Sequence, residues 1–191
     1  MDELFLLTPA PVVMPLAYWL LPHTRIFSSY ILLIQPSSSE LTRVMEAVRS
    51  AGPEEYDMEI LNKLYGETAM VLPHRPYGLL TQEFRAKPDE HVRYLGSAED
   101  EVWDAGRVFD EAKYVHFSDW PMTKPWLPIS AGLMAMMQPK CWEGEGESWA
   151  RKCVERDLWH WFYREFRERR MVSLSFPLDK CVYRPNFPRL C

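Results

Sequence analysis

Two side chains near the middle of the chain, His116 and Lys124, have the types and spacing to bind an anionic ligand. The segment 112–126 reads AKYVHFSDWPMTKPW. It begins as a short β pattern around His116 and then breaks into a loop that contains Asp119, two prolines, Lys124 and Trp126. An imidazole can ligate a metal, an ammonium can pair with a phosphate, and the prolines limit the freedom of the loop. The alternative interpretation is a core histidine followed by an irregular surface loop.

A carboxylate on a predicted early helix, Asp57, is a third candidate. Residues 54–65 read EEYDMEILNKLY, which places Met58 and Leu61 on one face and Gly66 at the C-terminal end. Asp57 falls in the first turn, where the helix dipole favours a negative charge. From spacing alone, complementation of that dipole is the simpler role for this side chain.

The elements that would position these residues alternate between strands and helices, which predicts an α/β fold. A helix is expected to begin at the capping box Ser37-x-x-Glu40 and to run to about Arg49, before Gly52. Strand patterns occur at 28–35, 69–72 and 114–117.

Other segments give weaker predictions. Residues 82–107 lack periodicity and are predicted to form a long loop that could include a short helix, and His91 is predicted to be exposed. His74 lies in a proline-flanked corner and is assigned a structural role. Residues 148–170 form the longest helical pattern, with an ion-paired outer face; contact of that face with a membrane is the alternative. After residue 127 the chain is predicted to comprise an irregular loop, this helix and a Pro-rich tail, all within a single domain, 1–191.

Composition excludes several classes of protein. The chain is 47% hydrophobic and 26% charged, which is typical of a folded globular protein, and its net charge of −5 argues against nonspecific nucleic-acid binding. Segment 4–22 is almost free of charge, but its acidic start and its prolines are unlike a signal peptide or a spanning helix, so no targeting segment is predicted. None of the four cysteines is spaced as Cys-x-x-Cys, which disfavours zinc; disulfides and free thiols stay open.

Three motifs together resemble a known family. The run HFSDWP-x-x-KPW, from His116 to Trp126, is similar to the late motif of the glycogenin-like glycosyltransferases, family eight of the nucleotide-sugar enzymes, and closest to its fungal glucose N-acetyltransferase-like branch. DMEILN resembles that family's Asp-Gln-Gly-x-x-Asn motif, with Asp57 and Asn62 on its Asp and Asn. Ser28, Ser29 and Tyr30 align with an Asn-Ser-Gly segment that precedes a strand and helps to hold the donor sugar.

The resemblance implies a fold and a set of roles. The fold is an incomplete GT-A fold, the acceptor-side half of the nucleotide-diphospho-sugar transferases, with a mixed sheet and flanking helices. His116 would ligate Mn²⁺ (or Mg²⁺), and Lys124 would neutralise a phosphate. Asp57 would be the catalytic acid group beside the transferred sugar. The remaining expected substrate-binding residues are Ser28, Ser29 and Asn62.

The implied activity is retaining transfer of a sugar, N-acetylglucosamine or glucose, from a nucleotide-diphosphate donor to a glycan or protein acceptor, in the Golgi lumen or membrane. The sequence contains no Asp-x-Asp, the family's metal-binding carboxylate pair, so we expect an N-terminally shortened chain. The alternative is a truncated or degenerate relative that is not catalytic and binds at most a sugar or a partner chain. In either case we expect an uncovered sheet edge, exposed apolar surface, marginal stability or homo-oligomerisation.

Overall fold

The structure is a computed structural model that describes residues 1–96, 101–140 and 154–175. The chain divides into two compact units, Met1–Ser118 and Asp119–Cys191, and each is described by itself below. The four cysteines and the predicted Pro-rich tail beyond residue 175 lie outside the described residues. The single domain expected from the sequence stays a prediction.

The first unit is built on two small sheets. In the larger sheet the strand order is β2-β1-β3, with β1 antiparallel to β2 and parallel to β3. The smaller sheet pairs β4 with β5 in parallel, and Leu80 lies opposite His116. The strands are β1 (Val12–Pro15), β2 (Leu33–Ile34), β3 (Met70–Leu72), β4 (Leu79–Leu80) and β5 (Val115–His116).

Strand β1 is central because all four of its residues are buried. Successive side chains of a strand point to opposite faces, so both faces of β1 need an apolar cover. On one face Val12 and Met14 pack with Phe27 and Tyr65. On the other face Val13 belongs to a second apolar cluster. Strand β1 therefore contributes to both apolar clusters of the unit, whereas Phe5 and Leu6 in the uncharged segment before it are exposed.

Short helices surround these sheets. The α-helices of the first unit are α1 (Ser38–Ser50), α2 (Asp57–Tyr65), α3 (His74–Tyr77), α4 (Val92–Leu95) and α5 (Ala105–Glu111). Three-residue-per-turn helices occur at Asp2–Leu6, Tyr18–Leu20 and Thr81–Arg85. The unit is thus α/β, with a small mixed sheet and flanking helices, as predicted.

Both predicted helix starts have local capping contacts. The Ser37 hydroxyl accepts a hydrogen bond from the Glu40 amide at 3.4 Å, as expected for the start of α1. Helix α2 begins at Asp57 rather than at residue 54, because the Glu59 carboxylate accepts from the Tyr56 amide at 3.0 Å.

Three predictions about this unit are wrong. The segment 82–107, predicted as a long loop, contains α4, the start of α5 and most of the three-residue-per-turn helix Thr81–Arg85. Only Leu33–Ile34 of the predicted strand 28–35 is a strand, since the residues before it follow an irregular path along β1. His91 is buried rather than exposed, with 5% of its surface accessible. Its ring stacks on Trp103 with ring centroids 4.0 Å apart, which explains the burial.

The second unit contains α6 (Ala131–Met137) and α7 (Val154–Ser175). Buried Asp119 accepts hydrogen bonds from the indole of Trp159 at 3.0 Å and from the hydroxyl of Tyr163 at 2.9 Å. Trp126 packs near Phe166, with ring centroids 6.0 Å apart. The loop after residue 118 is therefore attached to α7 by buried contacts. Within the described part of the chain, no helix is both long and apolar enough to cross a membrane.

Candidate functional site

Asn62 attaches helix α2 to the segment that precedes Ser28. Its amide oxygen accepts from the Phe27 amide at 2.8 Å, and its amide nitrogen donates to the carbonyls of Phe27 and Met58, both at 2.8 Å. Both donor hydrogens of the Asn62 side chain are thus used by backbone groups. In the structure Asn62 fixes the chain at Phe27, and direct contact with a sugar stays a prediction.

Ser28 and Ser29 follow directly from this anchored residue. Ser28 is buried, with 4% of its surface accessible, and its amide donates to the carbonyl of Pro15 at the end of β1. Ser29 is half-buried. The segment is therefore held by β1 on one side and by Asn62 on the other.

Tyr30 brings the same segment to His116. The Tyr30 and His116 ring centroids are 5.7 Å apart. Tyr30 also stacks with Tyr114, with centroids 6.0 Å apart and an interplanar angle of 11°, and the Tyr114 hydroxyl donates to the Tyr30 carbonyl at 2.9 Å. Trp19 completes a half-buried aromatic group at 6.3 Å from Tyr30. The fold therefore joins residues 27–30 and 116, which are distant in sequence.

The tyrosine ring fits here because Gly78 leaves room for it. A Cβ atom built on Gly78 would lie 1.8 Å from the Tyr30 hydroxyl oxygen, so a side chain at this position would force the tyrosine ring to move. This hydroxyl is buried and has no hydrogen-bond partner among the residues that the structure describes. Burial, with smaller contributions from Tyr94 and Tyr114, raises the pKa of Tyr30 well above its ordinary value, so the ring is neutral.

Asp57 lies apart from this cluster in its contacts. It is exposed in the first turn of α2, five residues before Asn62. No described contact joins its carboxylate to His116. Its place at the helix N-terminus agrees with the dipole role, and a catalytic role stays a prediction.

Lys124 belongs to the second unit. It is half-buried, and its carbonyl accepts from the Leu127 amide at 2.9 Å, which closes a turn in the Pro-rich loop. The anchoring of this loop by Asp119 limits the positions open to Lys124 within that unit. Its predicted contact with a phosphate is untested.

A buried polar cluster in the first unit was not predicted from the sequence. Glu83, 6% accessible, accepts from the Tyr18 hydroxyl at 2.8 Å and lies 3.5 Å from Nδ1 of His91. His74 stacks on Tyr18 with centroids 4.6 Å apart, and its Nε2 lies 2.6 Å from the Tyr94 carbonyl oxygen. The structural role assigned to His74 agrees with these contacts. The segment around Glu83 has no apolar periodicity, so no local signal marked its burial.

The described residues do not fit a complete metal site. Among them, no group of three or more His, Cys, Asp or Glu side chains is arranged to hold a metal ion. His116 contributes one imidazole on β5, and a stable Mn²⁺ site needs several oxygen or nitrogen ligands. No chemical step is therefore assigned to a metal held by these residues.

Comparison with known proteins finds fungal relatives. The chain is 50% identical over 171 residues to a Gibberella zeae protein named Glucose N-acetyltransferase 1, an alignment that covers 88% of this chain and 36% of the relative. It is 45% identical over 182 residues to an Aspergillus fumigatus protein of the same name, covering 90% of the chain and 47% of the relative. A Candida albicans protein of that name is 26% identical, with 75% and 39% covered.

These relatives are much longer than the matched region. The chain spans between 36% and 47% of the length of these three curated relatives. No family profile matches the chain, and no solved structure matches it. The comparisons therefore support a likeness to fungal proteins named as transferases.

Proposed function

We propose that the chain forms the acceptor-side part of a nucleotide-sugar-dependent glycosyltransferase with an incomplete GT-A fold. The enzyme transfers glucose or N-acetylglucosamine, with retention, from a nucleotide-diphosphate donor to a glycan or protein acceptor. The names of the relatives, which combine glucose with a transferase activity, support this proposal. The site of action is the Golgi.

The observation that carries the proposal is the meeting of three motifs in the first unit. Asn62 holds Phe27 through two hydrogen bonds, Ser28 and Ser29 follow, and the next residue, Tyr30, lies against His116. These residues were selected from separate motifs, and a purely accidental likeness would not require them to be contiguous.

The proposed roles follow from the chemistry of each side chain. Departure of a nucleotide diphosphate develops negative charge on phosphate oxygens, and the Lys124 ammonium is suited to neutralise it. Ser28 and Ser29 orient sugar hydroxyls, and Asp57 orients the reacting hydroxyl groups. His116 would contribute one imidazole ligand to the Mn²⁺ of this enzyme class, and the carboxylate ligands would come from residues other than those described.

A chimera tests the proposal. The matched region of the Aspergillus fumigatus relative is replaced by this chain, and transfer from UDP-glucose and UDP-N-acetylglucosamine is measured by mass spectrometry of the products. We expect transfer by the chimera, loss of it on His116→Ala or Lys124→Ala, and no effect of Lys63→Ala, which removes an exposed lysine of α2. NMR of the product anomer tests retention.

The second candidate is a non-catalytic binding module. Helix α1 favours it, because none of its residues is buried and its apolar Leu41 and Val48 are 63% and 48% exposed. Such a face suits a partner chain or self-association. A folded chimera without transfer, beside an active relative in the same assay, would establish this candidate in place of the enzyme.

A further inference from the structure

Helices α6 and α7 flank an open cavity whose surface is mostly apolar and whose lining includes half-buried Arg167 and exposed Arg164. Its volume is about 500 Å³, within the range of small-molecule sites. It lies within the second unit, and nothing proposed above uses it. The residues that line it are Met134, His160, Tyr163, Arg164, Arg167 and Glu168.

Arg167 is the first sign that the cavity takes an anion. Its Nη2 atom is buried and has no hydrogen-bond partner within the described part of the chain. A buried cationic donor without an acceptor is costly, because it has lost water and gained nothing in return. An oxygen of a bound anion would satisfy this nitrogen.

Arg164 is the second sign. It lies one turn before Arg167 on α7, so the two like charges face the same side of the helix and repel each other. Neither arginine is in an ion pair among the described residues, whereas Arg169 on the same helix pairs with Glu165 at 2.7 Å. Two unneutralised arginines on one wall outweigh the single carboxylate of Glu168.

His160 adds a proton-accepting group to the same wall. Its Nε2 lies 2.9 Å from the side-chain oxygen of Gln138, which can only accept, so Nε2 carries the hydrogen and Nδ1 is an acceptor in the neutral ring. Burial, then repulsion by Arg156 and Arg164, lowers the pKa of His160, although Asp157 opposes the shift. A dianion in the cavity would reverse that balance and draw a proton onto the ring.

We propose that this cavity binds the phosphoryl group of a small sugar phosphate. Arg164 and Arg167 donate to the phosphate oxygens, because guanidinium groups match phosphate geometry. The ring of Tyr163, whose hydroxyl is held by Asp119, and the side chain of Met134 form the wall for the carbon skeleton. The volume is far larger than an inorganic phosphate needs, which favours an organic phosphate. The inference is independent of the proposed sugar transfer.

The test uses the 191-residue chain and calorimetric titration with glucose 6-phosphate, inorganic phosphate and glucose at constant ionic strength. We expect saturable binding of glucose 6-phosphate, weaker binding of phosphate and none of glucose. Arg167→Gln and Arg164→Gln should each weaken binding roughly tenfold or more, the loss of one charged hydrogen bond. Glu168→Gln should tighten it.

Arg169→Gln is the matched control, because it removes an arginine from the same helix that is already paired and does not line the cavity. An equal loss of affinity in this variant would show a general charge effect and overturn the proposal. Phosphate that binds as tightly as glucose 6-phosphate would refute the sugar-phosphate occupant, and an absence of saturable binding would refute the site.

Two further readouts separate a lost site from a lost fold. Arg167→Gln removes a guanidinium group that has one buried nitrogen without a partner among the described residues, so its thermal midpoint without ligand should not fall. Glucose 6-phosphate should raise the midpoint of the unchanged chain only. NMR titration of the His160 ring should show a higher pKa with ligand bound. A ligand-independent His160 pKa would contradict binding beside this ring.

Discussion

Replacement of Asn62 by alanine tests the central contact of the candidate site. The substitution removes three hydrogen bonds, each 2.8 Å long, and leaves the amide and carbonyl of Phe27 without their side-chain partner. Phe27 is 1% accessible, so water cannot readily replace what is lost. A typical hydrogen bond contributes about 1 kcal/mol net, and an unsatisfied buried group costs about 1–3 kcal/mol, so Asn62→Ala should destabilise the chain by roughly 3–5 kcal/mol.

Equilibrium urea unfolding followed by tryptophan fluorescence measures this loss. The midpoint should fall while the slope stays constant, since the amount of surface exposed on unfolding changes little. Lys63→Ala is the matched control: Lys63 is the next residue of α2, its side chain is 65% exposed, and its ion pair with Glu55 is 3.9 Å long. Such an exposed pair contributes about 0–1 kcal/mol.

Two roles of Asn62, fixing the chain at Phe27 or only contacting a sugar, predict different effects on stability. If its main role is to fix Phe27, stability falls by several kcal/mol in Asn62→Ala and by under about 1 kcal/mol in Lys63→Ala. If the two variants unfold at the same urea concentration, the hydrogen bonds to Phe27 contribute little and the structural argument is refuted.

Three further predictions concern other contacts. Burial lowers the pKa of His74 below its ordinary 6.5, so protonation favours the unfolded chain. The free energy of unfolding should therefore be highest above about pH 6.5 and fall below it. His74→Gln should make the urea midpoint less dependent on pH. Asp119→Ala removes the acceptor of two buried donors, the Trp159 indole and the Tyr163 hydroxyl, and should cost about 2–4 kcal/mol in the same assay. Gly78→Ala should cost about 1–3 kcal/mol through its clash with Tyr30, and much less in a Tyr30→Ala background; equal costs in both backgrounds would refute the clash.

The last prediction concerns the affinity of the chain for Mn²⁺. The isolated chain should bind Mn²⁺ only weakly in calorimetry, because one imidazole is a poor donor set. Micromolar affinity that His116→Ala abolishes would contradict the incomplete site inferred from the described residues.

The features predicted best from the sequence are those governed by local contacts. The start of α1 follows from Ser37, whose hydroxyl caps the amide three residues later. The short strand that carries His116 follows from its apolar neighbours, and it is paired with β4. In each case the decisive contacts involve nearby residues or a strong apolar pattern.

The features missed depend on contacts between distant residues. Segment 28–35 has strong strand propensity, yet its first half does not form a strand. The preceding residue, Phe27, is hydrogen-bonded to Asn62, and Tyr30 stacks on Tyr114. The polar sequence around His91 predicts an exposed side chain, whereas in the fold its ring stacks on Trp103. Tertiary contacts override local propensity at such positions.

The pairing of Tyr30 with Gly78 bears most directly on function. The resembling motif has a glycine where this chain has Tyr30, and a ring there would be expected to fill the space beside Ser28 and Ser29. Instead the ring packs over Gly78, where any side chain would collide with it, and reaches His116. The bulky residue is thus accommodated by an open position elsewhere in the fold. The substitution at residue 30 therefore does not by itself argue against a donor site at the two serines.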